Sequence, residues 1–399
     1  MAIQLYEYQK NYLSTVHKNY ILDAATGTGK TIMSLYHYLK YAKGKKLLIV
    51  APASKINEGG WQRTIKQVEE SENIKIFFNT CSYNMIHKEW REYKNYFVIF
   101  DECHRLKLST GVWGRACFEL TTIADGYLLL SATPIPNGWE DSINYFKIFG
   151  LVKNKTSFLR EFASTQKEYY GQRTVNKVVD YKHKDKLKAM WGAISKRLNK
   201  EDCIDLPQVV EREIYFRPSK QYDIIKKHRV LEDEYFDNSM KLHHGLRLHT
   251  SLDDKIKWLV EFVNSTTQNI LIFYNYNEEL MKMLENLPKE PYLCNGQNKT
   301  YPKKDEWDKI TNSITLANYK SGSEAVEFTY CTIVIYFSPT ESYTEWYQSI
   351  GRVHRIGQDK KVTMYKFITK NTIEEDVYQS LENKQDFNYK LWEINSTNK

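Results

Sequence analysis

The stretch AATGTGKT at 24–31 carries the groups needed to hold a triphosphate. Gly27 and Gly29 let the backbone turn its N–H groups toward phosphate oxygens, Lys30 can reach the β and γ phosphates, and the Thr31 hydroxyl can ligate magnesium. The pattern fits a P-loop in which Ala24 replaces the first glycine. A second group stands in YFVIFDECH (96–104), where Asp101 would hold a hydrated magnesium ion and Glu102 would orient and deprotonate an attacking water. Alone, a glycine-rich turn or two adjacent acids at a strand end is also what a solvated turn or helix start looks like. Occurring together, they favour the catalytic reading. Toward the other end, Arg352 and Arg355 share one helical face in QSIGRVHRIGQ (348–358). Such a pair is commonly a surface feature, but Gly351, His354 and Gly357 around it are unusual for a merely structural helix.

Elements able to position these groups recur along the chain. Apolar runs ending in small or polar residues occur at 20–25, 46–52, 74–78, 96–102 and 127–133, with helical-period segments between them. The rhythm returns at 270–274, 313–317, 332–337 and 362–368. This is the pattern of an α/β protein with parallel sheets and crossover helices, built as two lobes. The expected division is a first lobe at 1–150, a basic helical extension of lobe one and linker at 151–205, and a second lobe at 206–399. Ligands in such sheets gather at the carboxyl ends of strands, which is where the P-loop and the paired acids lie.

Composition narrows the class. A chain of 399 residues with 42% hydrophobic content is too long for one typical domain and too apolar for disorder. No apolar run long enough to span a membrane occurs, and MAIQLYEYQK lacks the apolar core of a secretory signal. The six cysteines include no C-x-x-C pair, which argues against a zinc site or a disulfide framework and for reduced thiols in a cytoplasm. His243, His244 and His249 lack acid or cysteine partners at metal spacing, so no metal is assigned to them. Residues 151–200 hold thirteen Lys or Arg against four Asp or Glu; at +9 this stretch exceeds the chain's +8 and leaves the remainder at −1. Charge alone does not separate a solvated face from a polyanion contact.

Read in order, Gln9 in LYEYQ, AATGTGKT, DECH (101–104), SATP (131–134) and QSIGRVHRIGQ resemble superfamily 2 helicase-like ATPases. VTMYKFITKNTIEE (362–375), RLNKEDCIDLP (197–207) and SATPIPN (131–137) narrow the resemblance to the Swi/Snf-type DNA translocases, over residues 5 to about 378. The resemblance implies two tandem RecA-like lobes with an ATP site in the cleft between them, ATP and Mg2+ as cofactors, and DNA, preferably double-stranded, as partner. It matches Gln9 to the glutamine that reads the adenine edge, and Thr26, Gly27, Thr28, Gly29, Lys30 and Thr31 to the phosphate cradle. Thr31 and Asp101 match the metal-binding residues, and Glu102 the water-orienting one. His104 and the segment Ser131, Ala132 and Thr133 match the residues that couple nucleotide state to nucleic acid. Arg352 and Arg355 match the arginines presented to the γ phosphate, and Gln348 the glutamine that orders the same interface.

Contacts to a phosphate backbone are expected from Ser54, Thr80 and Tyr83 in the first lobe, Lys320 and Ser321 in the second, and Lys196, Arg197 and Lys200 in the basic extension. One departure stands out. Ala325 and Glu327 occupy places where the family commonly carries a glycine and an asparagine, and a carboxylate there would repel phosphate. The leading expectation is an ATP-driven translocase on duplex DNA, targeted by a protein partner. Two alternatives stay open: a strand-separating DNA or RNA helicase on the same core, and a nucleic-acid-binding module with impaired ATPase.

Overall fold

A computed structural model describes residues 3–108, 111–170, 173–199, 203, 206–320, 326–355, 357–389 and 392. The chain forms two compact units, 1–204 and 205–399.

The first unit is built on a six-stranded parallel sheet. Its strands are β1 (Tyr20–Ala24), β2 (Leu47–Ala51), β3 (Phe78–Ser82), β4 (Phe97–Asp101), β5 (Gly126–Ser131) and, after an antiparallel hairpin of β6 (Ala163–Tyr170) and β7 (Arg173–Tyr181), β8 (Ser195–Leu198). They lie in the order β3-β2-β4-β5-β1-β8. Strands β1, β2, β4 and β5 are buried along their whole length, because crossover helices cover both faces. Alternation along each strand feeds two cores: Leu47, Ile49, Phe97 and Ile99 join one apolar layer, while Leu48, Val50, Val98 and Phe100 join the other. Helices α1 (Glu7–Thr15), α2 (Lys30–Ala42), α3 (Ala53–Asn57) and α4 (Gly60–Glu72) follow or precede these strands and carry the polar groups of the site.

The second unit repeats the plan with β9 (Val209–Phe216), a short ribbon of β10 (Val230–Leu231) and β11 (Glu234–Tyr235), then β12 (Ile270–Tyr274), β13 (Tyr292–Cys294), β14 (Ile314–Asn318), β15 (Ile333–Tyr336) and β16 (Val362–Thr369). Its parallel sheet runs β13-β14-β12-β15-β16-β9. Leu271 and Phe273 face one core, and Ile270, Ile272 and Tyr274 the other. Each unit is thus a doubly wound α/β lobe, the RecA-like architecture expected from the resemblance.

Two expectations need correction. The run IKIFF (74–78) is not the edge strand; the strand is Phe78–Ser82. Phe77 is 67% exposed and Ile76 is held by a Glu69 side-chain bond to its N–H, so the apolar run ends where pairing begins. The segment 151–205 is helical only in part, over Lys155–Phe162 and Lys184–Ile194. Between them β-branched and aromatic residues such as Val175, Val178, Val179 and Tyr181 favour the hairpin β6–β7. At the end of this segment β8 completes the sheet of the first lobe beside β1.

Candidate active site

The P-loop leaves β1 at Ala24 and enters α2 at Lys30 through two left-handed residues, Gly27 at φ +84° and Gly29 at φ +79°. A side chain at either would be strained, and a Cβ on Gly29 would lie 2.5 Å from Gln9 Nε2. The loop is braced from several sides. The Thr28 hydroxyl donates to Ala25 O at 2.8 Å, and Gln9 Nε2 and the Tyr8 hydroxyl donate to Thr28 O at 3.1 and 3.0 Å. Gln9 Oε1 accepts from Tyr6 N–H at 3.0 Å, so its amide joins the start of α1 to the loop. Lys30 Nζ donates to Ala24 O and Ala25 O at 2.8 and 3.0 Å, which places the ammonium in the mouth of the loop. Thr31, half-buried, follows it in the first turn of α2.

The paired acids stand at the end of β4, two strands from β1 in the sheet. Glu102 is a non-glycine residue at φ +55°, a conformation that costs about 1–2 kcal/mol and turns its carboxylate back toward the strand end. Both acids are buried, and Lys55 from α3 meets them: its Nζ lies 3.3 and 3.2 Å from the two Asp101 carboxylate oxygens and 2.7 Å from Glu102 Oε1. Trp61 Nε1 from α4 donates to Asp101 Oδ2 at 3.2 Å. Burial pushes the Glu102 carboxyl up, but Lys55, His104 and Lys30 outweigh it and hold the group well below the usual carboxylate range. It is therefore ionised at neutral pH, as a water-orienting base must be.

His104 lies between the acids and the next strand end. Its Nδ1 is 3.4 Å from Glu102 Oε2 and 3.3 Å from Ser131 Oγ, which in turn accepts from Thr133 N–H at 3.1 Å. Ser131, Ala132 and Thr133 are buried. The chain thereby brings Lys30, Asp101, Glu102, His104 and Ser131 to the carboxyl edge of one sheet. Two carboxylates at the strand end and the Thr31 hydroxyl of the P-loop helix are oxygen donors of the kind magnesium takes, so the residue types fit the metal that the P-loop implies.

The structure also shows contacts that the sequence reading did not foresee. Arg197 on β8, expected against nucleic acid, pairs with Asp23 and donates to Ala132 O at 2.7 Å. Burial raises the Asp23 carboxyl, while Arg197 and Lys30 oppose that rise. Leu198 O accepts from Ala25 N–H at 3.0 Å, so β8 braces the P-loop itself. A signal existed: an acid inside the apolar run YILDAA needs a cationic partner. Lys55 lies one residue beyond Ser54, the residue expected against a phosphate backbone. Tyr83 is corrected: it is 2% exposed and its hydroxyl donates to Asp101 O at 2.7 Å, so it supports the acids and has no face for nucleic acid.

The remaining nucleic-acid candidates do not form one patch. Ser54 and Thr80 lie at the β2–β3 side of the sheet, whereas Lys196 lies on β8 at the opposite edge, where its Nζ donates to Thr15 Oγ1 at 2.9 Å. Five inter-strand spacings separate those edges, roughly 24 Å. Lys320 is exposed at the end of β14 in the second unit. Lys200, Ser321 and Ala325 lie outside the described residues.

In the second unit the helix Tyr343–Val353 carries Gln348 and Arg352, both buried, and Arg355 follows it. The Glu327 carboxylate, read from sequence as a repulsive departure, is compensated: Arg355 Nη2 lies 2.9 Å from one oxygen and Lys304 Nζ 3.7 Å from the other. Burial draws the Arg355 guanidinium below its usual value, and Glu327 opposes that shift. Arg352 O accepts from Phe328 N–H at 2.9 Å, which ties the segment holding Glu327 to the arginine helix.

Residues 2–136 match the family described as type III restriction enzyme, res subunit, and residues 254–357 match the helicase conserved C-terminal domain. The two matches together span more than half of the chain and fall one in each lobe. The chain thus carries the two domains of superfamily 2 helicase-like ATPases, and it is similar to proteins of Swi/Snf type. Relatives of this helicase-like ATPase include an uncharacterized ATP-dependent helicase, YqhH, of Bacillus subtilis, 24% identical over 90% of this chain and 74% of the relative. A second, the uncharacterized ATP-dependent helicase MG018 of Mycoplasma genitalium, is 24% identical over 92% of this chain and 39% of the relative. A third, from Bos taurus, is a SWI/SNF-related matrix-associated actin-dependent regulator of chromatin, subfamily A, containing DEAD/H box 1, 25% identical over 73% of this chain and 31% of that protein. The chain thus spans less than half of the length of the latter two. No helix among the described residues is long and apolar enough to cross a membrane.

Proposed function

We propose that this helicase-like ATPase is a motor that hydrolyses ATP to translocate along double-stranded DNA, remodelling the duplex or protein–DNA complexes. The observation that carries the reading is the convergence of Lys30, Asp101, Glu102 and His104 at one sheet edge, with His104 in reach of both Glu102 and Ser131. That contact offers a route by which nucleotide chemistry is felt in the segment expected to sense nucleic acid.

Gln9 and Thr26 to Thr31 bind the nucleotide in this proposal, and Thr31 and Asp101 would hold magnesium, which would supply positive charge to the phosphates. Glu102 takes the proton of the attacking water. Arg352 and Arg355 supply the second lobe's contribution, and Gln348 orders their helix. DNA is tracked through phosphates by Ser54, Thr80, Lys196 and Lys320, contacts that carry no base information. A protein partner supplies targeting.

The test is the ATPase rate with duplex DNA, single-stranded DNA and RNA over a range of salt. Stimulation by duplex DNA that falls steeply with added salt supports backbone tracking. Stimulation by RNA alone overturns the duplex assignment, strand displacement as efficient as triplex displacement favours a separating helicase, and absence of ATP turnover under every condition favours a binding module.

A further inference from the structure

Lys55 makes the densest set of charged contacts at the paired acids, and neither the P-loop nor the magnesium scheme gives it a duty. It sits on α3, a helix of five residues between Pro52 and Glu58, and the strand β2 that precedes it is wholly buried. Its side chain is 18% exposed, against 6% for Asp101 and 10% for Glu102. Three carboxylate oxygens lie within 3.3 Å of the one ammonium: both oxygens of Asp101 and Oε1 of Glu102. An ammonium has three protons to give, so this set uses its full donor capacity. The carboxylates are fixed independently of it, Asp101 by Trp61 Nε1 and by the Tyr83 hydroxyl on its backbone carbonyl, and Glu102 by His104. The lysine therefore meets a preformed pair of acids.

A divalent cation that takes Asp101 as ligand or water anchor must enter this same space. Two cations there repel each other, and the carboxylate lone pairs given to Lys55 are the ones that the metal or its waters would use. We propose that Lys55 is a positioning residue that acts as an internal counter-ion, competing with the divalent metal for Asp101 and Glu102. The lobe then binds free metal weakly and takes it efficiently only with a nucleotide, whose phosphates add ligands and offer the displaced ammonium a new anionic partner. The inference rests on the assignment of Asp101 as the metal residue made under the proposed function.

The experiment measures Mn2+ binding to the full chain by electron paramagnetic resonance without nucleotide, alongside thermal unfolding with and without Mn2+. Lys55→Met should bind free Mn2+ about tenfold or more tightly than the unaltered chain, since a charge at this range shifts carboxylate equilibria by one to three powers of ten. Its unfolding temperature should be lowered in chelator and restored by Mn2+, because two buried carboxylates have lost their cation. Lys55→Arg should keep weak metal binding. Adding Asp101→Asn to Lys55→Met should abolish the gained affinity, and the pair should unfold at a higher temperature in chelator than Lys55→Met alone. Unchanged Mn2+ affinity in Lys55→Met, or unfolding that Mn2+ does not alter, overturns the competition. ATP turnover by the unaltered chain is recorded in the same buffer: turnover with unchanged metal affinity in the variant removes this inference alone, whereas absent turnover removes the hydrolytic reading beneath it.

Discussion

The chemistry of the first lobe turns on charges that are buried yet compensated. Glu102 is ionised because Lys55, a hydrogen bond to His104, and Lys30 outweigh its burial, and its left-handed backbone aims it away from the path the strand would otherwise take. Glu102→Gln should therefore keep ATP affinity while lowering turnover by a hundredfold or more, roughly the contribution of general base catalysis. Lys30→Ala should weaken both, which nucleotide titration beside steady-state hydrolysis will separate. Equal turnover in Glu102→Gln would take the water-activating role from this residue. Glu327 offers a different test. It departs from the family's asparagine, yet its charge lies against Arg355 and Lys304. Glu327→Gln, which still offers an acceptor, should change hydrolysis by no more than about threefold. Glu327→Lys should suppress it by about tenfold or more, since a like charge would push Arg355 out of place. Comparable rates for the two variants would show that this carboxylate does not set the arginine's position. The motif residues were legible because P-loop chemistry demands particular residue types at fixed spacing. Lys55, Trp61 and Arg197 were not, because their roles come from contacts between strand ends brought together only by the sheet order.

At the scale of elements, buried parallel strands were readable as near-continuous apolar runs, and β1, β2, β4, β5, β12, β14, β15 and β16 appear where those runs lie. Strands without such a run were missed. SKRL of β8 and VVEREIYF of β9 are polar or alternating, because each is an edge strand with less apolar cover. The packing of α2 on the sheet contains a further device that its helical period does not reveal. His37 is 1% exposed between Tyr41 and Phe97, its Nε2 lies 2.9 Å from Lys18 O, and its Nδ1 has no partner among the described residues. A carbonyl accepts only, so Nε2 carries the proton and the ring is neutral. Burial pulls its pKa down to about 4, with the Lys18 carbonyl opposing and Lys40 adding to the shift. The unfolded chain, with an ordinary histidine near 6.5, then binds more protons than the folded one between those values, so stability falls as pH is lowered from about 6.5 to about 4. The full effect is about 3 kcal/mol. His37→Phe should flatten this part of the pH profile of the urea midpoint measured from pH 7 to pH 5. A profile as steep as that of the unaltered chain would place the proton uptake elsewhere.

Over the whole molecule, the proposed function assigns one half of the phosphoryl-transfer chemistry to each lobe: the P-loop and acids to the first, the pair of arginines to the second. Each half is preorganised within its own lobe, Lys30 and the acids by the carboxyl edge of the first sheet, and the arginines by the helix Tyr343–Val353 and its bond to Phe328. In the proposed function neither half suffices alone, since the first lobe would offer one P-loop lysine to the outer phosphates and transition-state charge there calls for more donors. An arginine supplied from a second body contributes roughly a thousandfold in related phosphoryl-transfer enzymes. Arg352→Ala and Arg355→Ala should therefore each lower turnover by about a hundredfold or more while nucleotide affinity, a property of the first lobe, stays within about threefold. Arg352 is buried, so its loss could act through folding of the second lobe. Arg352→Lys separates the two effects, because it keeps a charge and a long stem but loses the planar fork. Low turnover in Arg352→Lys at an unchanged unfolding temperature would assign the loss to phosphate contact, and full turnover in both alanine variants would show that the second lobe takes no part in hydrolysis.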